Sequence, residues 1–132
     1  MAAVAQALEF RAIGETPAVL YDGPSTKATK ILVISAGTPV EILSSIEGWA
    51  KIREPGGKLA WAESSGLASR RNVVVLASPA VARNAPEESA PAVFEAQRGV
   101  ILELLEQNGA WARVKHRDGP AGYLRAVELW GL

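Results

Sequence analysis

Short segments of alternating hydrophobic and polar residues run along the chain, separated by clusters of Gly, Pro, Asp and Ser. Leu8–Ile13 alternates as a half-buried strand does, whereas Asn72–Leu76 is more continuously apolar and is expected to be buried on both faces. The segment 87–90 is bracketed by prolines and is predicted to be a loop rather than a helix. The pattern predicts an all-β protein with strands at residues 8–13, 18–21, 31–34, 39–46, 49–54, 59–62, 72–76, 79–83, 93–96, 100–106, 111–117 and 122–124.

The chain contains the same pattern twice. The segment Glu47–Arg53 is matched 62 residues later by Gly109–Lys115. With this offset and no gap, 12 of the 51 positions from Pro17 to Leu67 are identical. Self-similarity at a fixed period indicates one structural unit used more than once. We therefore expect two small β-barrels in tandem, a first module at residues 8–69 and a second module at 70–132.

Two features lie outside the repeat. Residues 1–7 are predicted to be a disordered tail, and they end in an Ala-x-Ala pattern of the kind that precedes signal-peptidase cleavage. They are interpreted either as a signal-peptide remnant behind an added Met or as an ordinary Ala-rich tail. The segment 68–71, which joins the modules, is too short for a free tether, so a semi-rigid tandem is expected.

Alternation within one strand places tryptophan beside basic residues. In the strand that begins at Trp49, Ala50 and Ile52 share one face, and Trp49, Lys51 and Arg53 share the other. The second copy repeats this arrangement, with Ala112 and Val114 opposite Trp111, Arg113 and Lys115. Because the small apolar face must line the core, both tryptophans are predicted to lie on the charged face. By the same reasoning Ala62 and Leu124 point inward, and Trp61 and Tyr123 point outward.

The outward aromatic residues allow two interpretations. They could cover a barrel end or seal the contact between modules. Alternatively, they could form a shallow groove for a peptide or glycopeptide strand. The predicted groove of the first module comprises Tyr21, Trp49 and Trp61, with Asp22 and Glu63 at its rim; that of the second comprises Arg83, Trp111 and Tyr123, with Arg125 in place of Glu63. The second groove is more basic, so we expect it to prefer a different ligand or to serve as a docking surface.

Composition excludes several classes of function. The net charge is zero, and each half carries seven basic and seven acidic residues, which disfavours a nucleic-acid-binding barrel. The chain has no cysteine, so disulfides and thiol chemistry are excluded. No run is apolar enough to insert into a membrane. His116 is the only histidine and has no evident catalytic or metal partner, so we expect no enzyme activity, no cofactor and no metal site.

An ordered set of motifs resembles a bacterial SH3-like (SH3b) domain, and it occurs twice. In the first copy the matching segments are Val19–Ser25, Gly37–Ile42, Gly48–Ile52 and Ala60–Trp61, followed by a turn to Leu67. In the second they are Val81–Pro86, Gly99, Ala110–Val114 and Gly122–Tyr123. The chain departs from the pattern at Ala60 and Ala110, which stand where the family has glycine before the aromatic residue. It departs again at Glu87 and Glu88, where small hydroxyl residues are usual.

The resemblance implies an exported protein of the bacterial envelope, located in the periplasm or outside the cell. Its implied function is non-catalytic binding of peptidoglycan stem peptide or of an envelope protein through the aromatic groove. The alternative is a structural or adaptor protein whose aromatic residues pack at a domain or partner interface. We expect a monomer or weak oligomer that binds no nucleic acid.

Overall fold

The computed structural model describes residues 8–132, so the predicted tail at residues 1–7 lies outside the described part. The described residues form short strands and two single 3-10 turns, Ser64–Gly66 and Ala126–Glu128. The strands of the first module are β1 (Glu9–Ile13), β2 (Ala18–Tyr21), β3 (Lys30–Ile34), β4 (Pro39–Ile46), β5 (Trp49–Arg53), β6 (Leu59–Glu63) and β7 (Leu67–Ala68). Those of the second are β8 (Asn72–Val75), β9 (Ala80–Arg83), β10 (Ala92–Ala96), β11 (Ile101–Asn108), β12 (Trp111–Lys115), β13 (Ala121–Arg125) and β14 (Leu129–Trp130).

The two modules form two antiparallel sheets with the same topology. The first sheet has the order β3-β2-β6-β5-β4-β1-β7, and the second has the order β10-β9-β13-β12-β11-β8-β14. Each strand of the second sheet therefore occupies the place of the strand seven elements earlier. The repeat found in the sequence is confirmed as a repeated all-β structure. In this pairing β3 and β7 stand at opposite edges of one sheet, and β10 and β14 stand at opposite edges of the other.

The predicted strands are present, with ends shifted by at most two residues. The two-residue strands β7 and β14 were not predicted; they follow the 3-10 turns and pair with β1 and β8. The segment 87–90 lies in a loop, as predicted. All four residues of β8 are buried, which confirms the expectation from its apolar run.

Each module has its own hydrophobic core, built from the strand faces predicted to point inward. Ala50, Ile52 and Ala62 are at most 2% exposed in the first core. Ala112, Val114 and Leu124 are fully buried in the second. Burial of these small side chains fixes which face of β5 and β12 points outward, because neighbouring side chains alternate across a strand.

Contacts between the modules join β1 and β4 of the first to β8 and β14 of the second. The rings of Phe10 and Trp130 meet edge to face, with centroids 5.4 Å apart and planes at 84°. Asn72, which is 7% exposed, donates a hydrogen bond from Nδ2 to the carbonyl oxygen of Gly37 at 2.8 Å. The guanidinium of Arg71 lies 5.6 Å from the centre of the Phe10 ring. Aromatic and polar contacts thus hold the modules in a defined arrangement.

Candidate ligand-binding grooves

Antiparallel pairing brings the aromatic residues of the first module together on its outer face. Trp61 on β6 is the register partner of both Lys51 on β5 and Tyr21 on β2. Trp49 on β5 is the register partner of Glu63 on β6, two residues along from the pair Lys51–Trp61. Register partners lie on the same face of a sheet, so these five residues form one surface, which we call the first groove. The structure therefore collects four of the predicted site residues, Tyr21, Trp49, Trp61 and Glu63.

The aromatic rings of the first groove differ in exposure. Tyr21 is only 7% exposed, and its ring meets Trp49 edge to face, with centroids 5.4 Å apart and planes at 85°. Trp49 and Trp61 are half-buried. Tyr21 therefore supports the wall of the groove, and the two indoles supply most of the aromatic surface that a ligand could touch.

Asp22, predicted at the rim of this groove, closes the loop that follows β2. Its Oδ1 accepts a hydrogen bond from the backbone N–H of Thr29 at 3.0 Å, and its own N–H donates to the Thr29 carbonyl oxygen at 2.9 Å. The carboxylate thus holds the loop ends together. Glu63 is exposed at the end of β6, immediately before the 3-10 turn.

One member of this face, Ile46, was not predicted. Ile46 is the register partner of Trp49 across the two-residue turn Glu47–Gly48, and a β-bulge between Ile42 and Ser44 shifts the register farther along the same two strands. Ile46 is 53% exposed, and its side chain extends the apolar surface beside the indole. The second module has the same bulge between Leu104 and Glu106. A bulge adds one residue to a strand without a distinctive composition, so alternation alone would not reveal it.

The corresponding surface of the second module is basic. Tyr123 on β13 is the register partner of both Arg113 and Arg83, and Trp111 is the partner of Arg125. The structure thus brings together the predicted Arg83, Trp111 and Tyr123. Arg83 donates from Nη1 to the carbonyl oxygen of Ala90 at 2.9 Å.

A depression of about 360 Å³ on this module, which we call the second groove, is lined by Pro79, Val81, Arg83, Glu88, Trp111, Arg125 and Glu128. Arg125 lies between two carboxylates. Its Nη1 is 2.6 Å from Oε1 of Glu88, and its Nε is 3.8 Å from Oε1 of Glu128. Glu88 reaches the groove from the loop between β9 and β10, and the alternation of the strands does not reveal that it belongs there.

The other chemistry considered from the sequence lies apart from the grooves. His116 is exposed just after β12, and its ring lies 6.3 Å from that of Phe94. Within residues 8–132, no three His, Cys, Asp or Glu side chains are grouped so that they could hold a metal ion. Over the same residues, the structure contains no helix with the length and apolar character needed to span a membrane.

Family models match both modules. One described as a bacterial SH3 domain matches residues 17–68, and another with the same description matches residues 77–131. The chain belongs to the bacterial SH3 domain family. It carries two such domains in tandem, which confirms the resemblance seen in the sequence, and bacterial SH3 domains are binding modules. A comparison with curated proteins found no match.

Several solved structures that contain similar β-structure are larger than this chain. NlpC2 from Trichomonas vaginalis matches with a TM-score of 0.43 and 16% identity, over 96% of this chain and 49% of that chain. NlpC1 from the same organism gives 0.43 and 16%, over 97% and 47%. An NlpC/P60 family protein from Bacillus cereus gives 0.40 and 16%, over 91% and 55%. The chain therefore spans about half the length of these proteins.

Proposed function

We propose that this protein is a non-catalytic binding protein of the bacterial envelope, and that its first groove binds a peptide strand of peptidoglycan. In this proposal residues 8–69 and 70–132 are two bacterial SH3 domains, and each sheet curves into a small barrel. The protein acts after export, in the periplasm or outside the cell.

The exposed aromatic surface of the first groove is the observation that carries this proposal. Trp49 and Trp61 are half-buried on adjacent strands of one face, and the buried Tyr21 ring packs edge-on against Trp49. Rigid aromatic surfaces bind extended peptides at low cost in side-chain entropy, because their rings are already fixed. Lys51 and Glu63 beside the indoles offer one charge of each sign to the polar groups of a peptide.

Retention on purified sacculi tests the proposal. The wild-type protein should sediment with sacculi, and Trp49→Ala should reduce the retained fraction because one of the two half-buried indoles of the groove is lost. Val33→Ala is the control, since it removes an exposed apolar side chain of the first module that is not part of the first groove. Circular dichroism should show that both variants remain folded. Equal retention of wild type and Trp49→Ala would remove the proposal.

A second candidate function is that of an adaptor whose aromatic residues pack against a partner protein. One observation favours it: Trp130 already serves packing, because it meets Phe10 across the contact between modules. Single-tryptophan variants discriminate the two functions through acrylamide quenching in a cell extract freed of peptidoglycan. Indoles at positions 49 and 61 that stay quenchable there favour an open ligand groove, and shielded ones favour partner packing.

A further inference from the structure

The second groove presents two guanidinium groups at positions where the first module has other residues. Arg83 stands at the position of Tyr21, and Arg125 stands at the position of Glu63. A guanidinium carries five N–H donors in a planar fork that matches the two oxygens of a carboxylate. The bond from Arg83 to the carbonyl oxygen of Ala90 holds that side chain at the groove.

A carboxylate of the same chain already sits in this groove. Oε1 of Glu88 lies 2.6 Å from Nη1 of Arg125, just below the ~2.7–2.9 Å of most charge-assisted N–H···O hydrogen bonds. The Glu88 side chain is 73% exposed, and that of Arg125 is 49% exposed. Exposed ion pairs add little net stability, because both groups are well hydrated when they separate. Glu88 can therefore leave Arg125 without disrupting the fold.

The remainder of the groove suits a small apolar group beside that carboxylate. Pro79, Val81 and Trp111 supply apolar wall, and the arginines lie with them in the same depression. Its volume of about 360 Å³ is at the lower end of the range for ligand pockets, ~300–1,000 Å³. A carboxylate with one or two small side chains is a suitable occupant.

We propose that the second groove is a binding site for a peptide carboxylate, held by Arg125 and Arg83, and that Glu88 occupies this place in the free protein. The inference rests on the proposed function in one respect, that these modules bind peptides, and it names the group that the second module selects. Glu88 acts as an internal competitor, so a ligand must displace it.

Nuclear magnetic resonance titrations of the full chain test this site directly. The probes are N-acetyl-Ala-Ala with a free terminal carboxylate, its C-terminal amide, and N-acetyl-Ala-Glu-amide, which carries a side-chain carboxylate. The signals to follow are the indole N–H of Trp111 and the Nε–H of Arg125. We expect the free acid to shift both signals and the neutral amide to shift neither. The third probe shows whether a side-chain carboxylate binds as well as a terminal one.

Variants then test the role of Glu88. Glu88→Gln should tighten binding of the free acid by about two- to fivefold, the range expected when a weak exposed ion pair no longer competes. Glu87→Gln is the matched control, because it makes the same charge change in the same loop at a residue outside the groove lining. Arg125→Gln should weaken binding by at least about fivefold, since it removes a charge-assisted hydrogen bond. Higher salt should weaken binding as well.

Two results would overturn the inference. Equal binding of the acid and the amide would show that the groove does not select a carboxylate. Unchanged affinity in Glu88→Gln would show that Glu88 is not the internal occupant. These outcomes are independent of the sacculus experiment: loss of retention through Trp49 tests the first groove, and the dipeptide titration reports the second.

Discussion

The edge-to-face contact between Phe10 and Trp130 should couple the stabilities of the two modules. Phe10 is 8% exposed, and truncation of a buried Phe to Ala costs about 3–5 kcal/mol. The side chains around a contact between modules can partly fill the space left by the ring. We therefore expect Phe10→Ala to lower the free energy of unfolding by about 3 kcal/mol, at the lower end of this range. The perpendicular ring pair itself should account for about 0.5–1.5 kcal/mol of this loss. That share should appear as the interaction energy between Phe10→Ala and Trp130→Ala.

A double-mutant cycle measures this coupling. Wild type, both single variants and the double variant are unfolded in urea and followed by circular dichroism, which does not depend on the indole that Trp130→Ala removes. The control pairs Phe10→Ala with Trp111→Ala, because Trp111 lies in the second groove rather than at the contact with Phe10. Distant sites should be additive within about 0.5 kcal/mol.

The outcome that would refute the reasoning is additivity at the contact itself. If Phe10→Ala and Trp130→Ala added within about 0.5 kcal/mol, as distant sites do, the ring contact would not couple the modules. The hydrogen bond from Asn72 to the Gly37 carbonyl oxygen would then be the next contact to test, through the single variant Asn72→Ala, because no side-chain substitution removes a backbone carbonyl.

Two glycine substitutions make further predictions, with thermal and urea unfolding as the measurements. Gly122→Ala should destabilise the protein by about 1–3 kcal/mol, because the added Cβ would lie 2.9 Å from the Cβ of Ala82 in a packed core; an unchanged midpoint would contradict this packing. Gly48→Ala should cost about 1–2 kcal/mol through backbone strain alone, since Gly48 has φ of +79° and open space around it. Gly66 also has open space but no positive φ, so Gly66→Ala is the control and should change stability by less than about 0.5 kcal/mol.

The parts of the fold that follow from alternation were predictable from the sequence. Ala50 and Ile52 are apolar and alternate with Trp49, Lys51 and Arg53, so only the face with Ala50 and Ile52 could line the core. Because β12 repeats the pattern of β5, the same reasoning identified the inward face of β12. By contrast, β7 and β14 each contain two residues, which is too short for a period of two to be visible.

The candidate sites were predictable only where their residues belong to the strands. Trp49, Trp61 and Tyr21 could be grouped because they lie on neighbouring strands of a recognisable unit. Glu88 could not, because it meets Arg125 across 37 residues of sequence and comes from a loop. The partner of Trp130 was equally hidden, since Phe10 lies near the other end of the chain.

The two modules carry different residues at the contact between them. Trp130 stands at the position of Ala68, and Asn72 stands at the position of Phe10. The contact therefore uses different residues from each module. It forms between a first module and a second module, and two first modules could not form it. Divergence at these positions specifies one pairing of modules within the chain. It also holds the first and second grooves in one arrangement, so that a ligand able to reach both would bind the second site at a raised effective concentration.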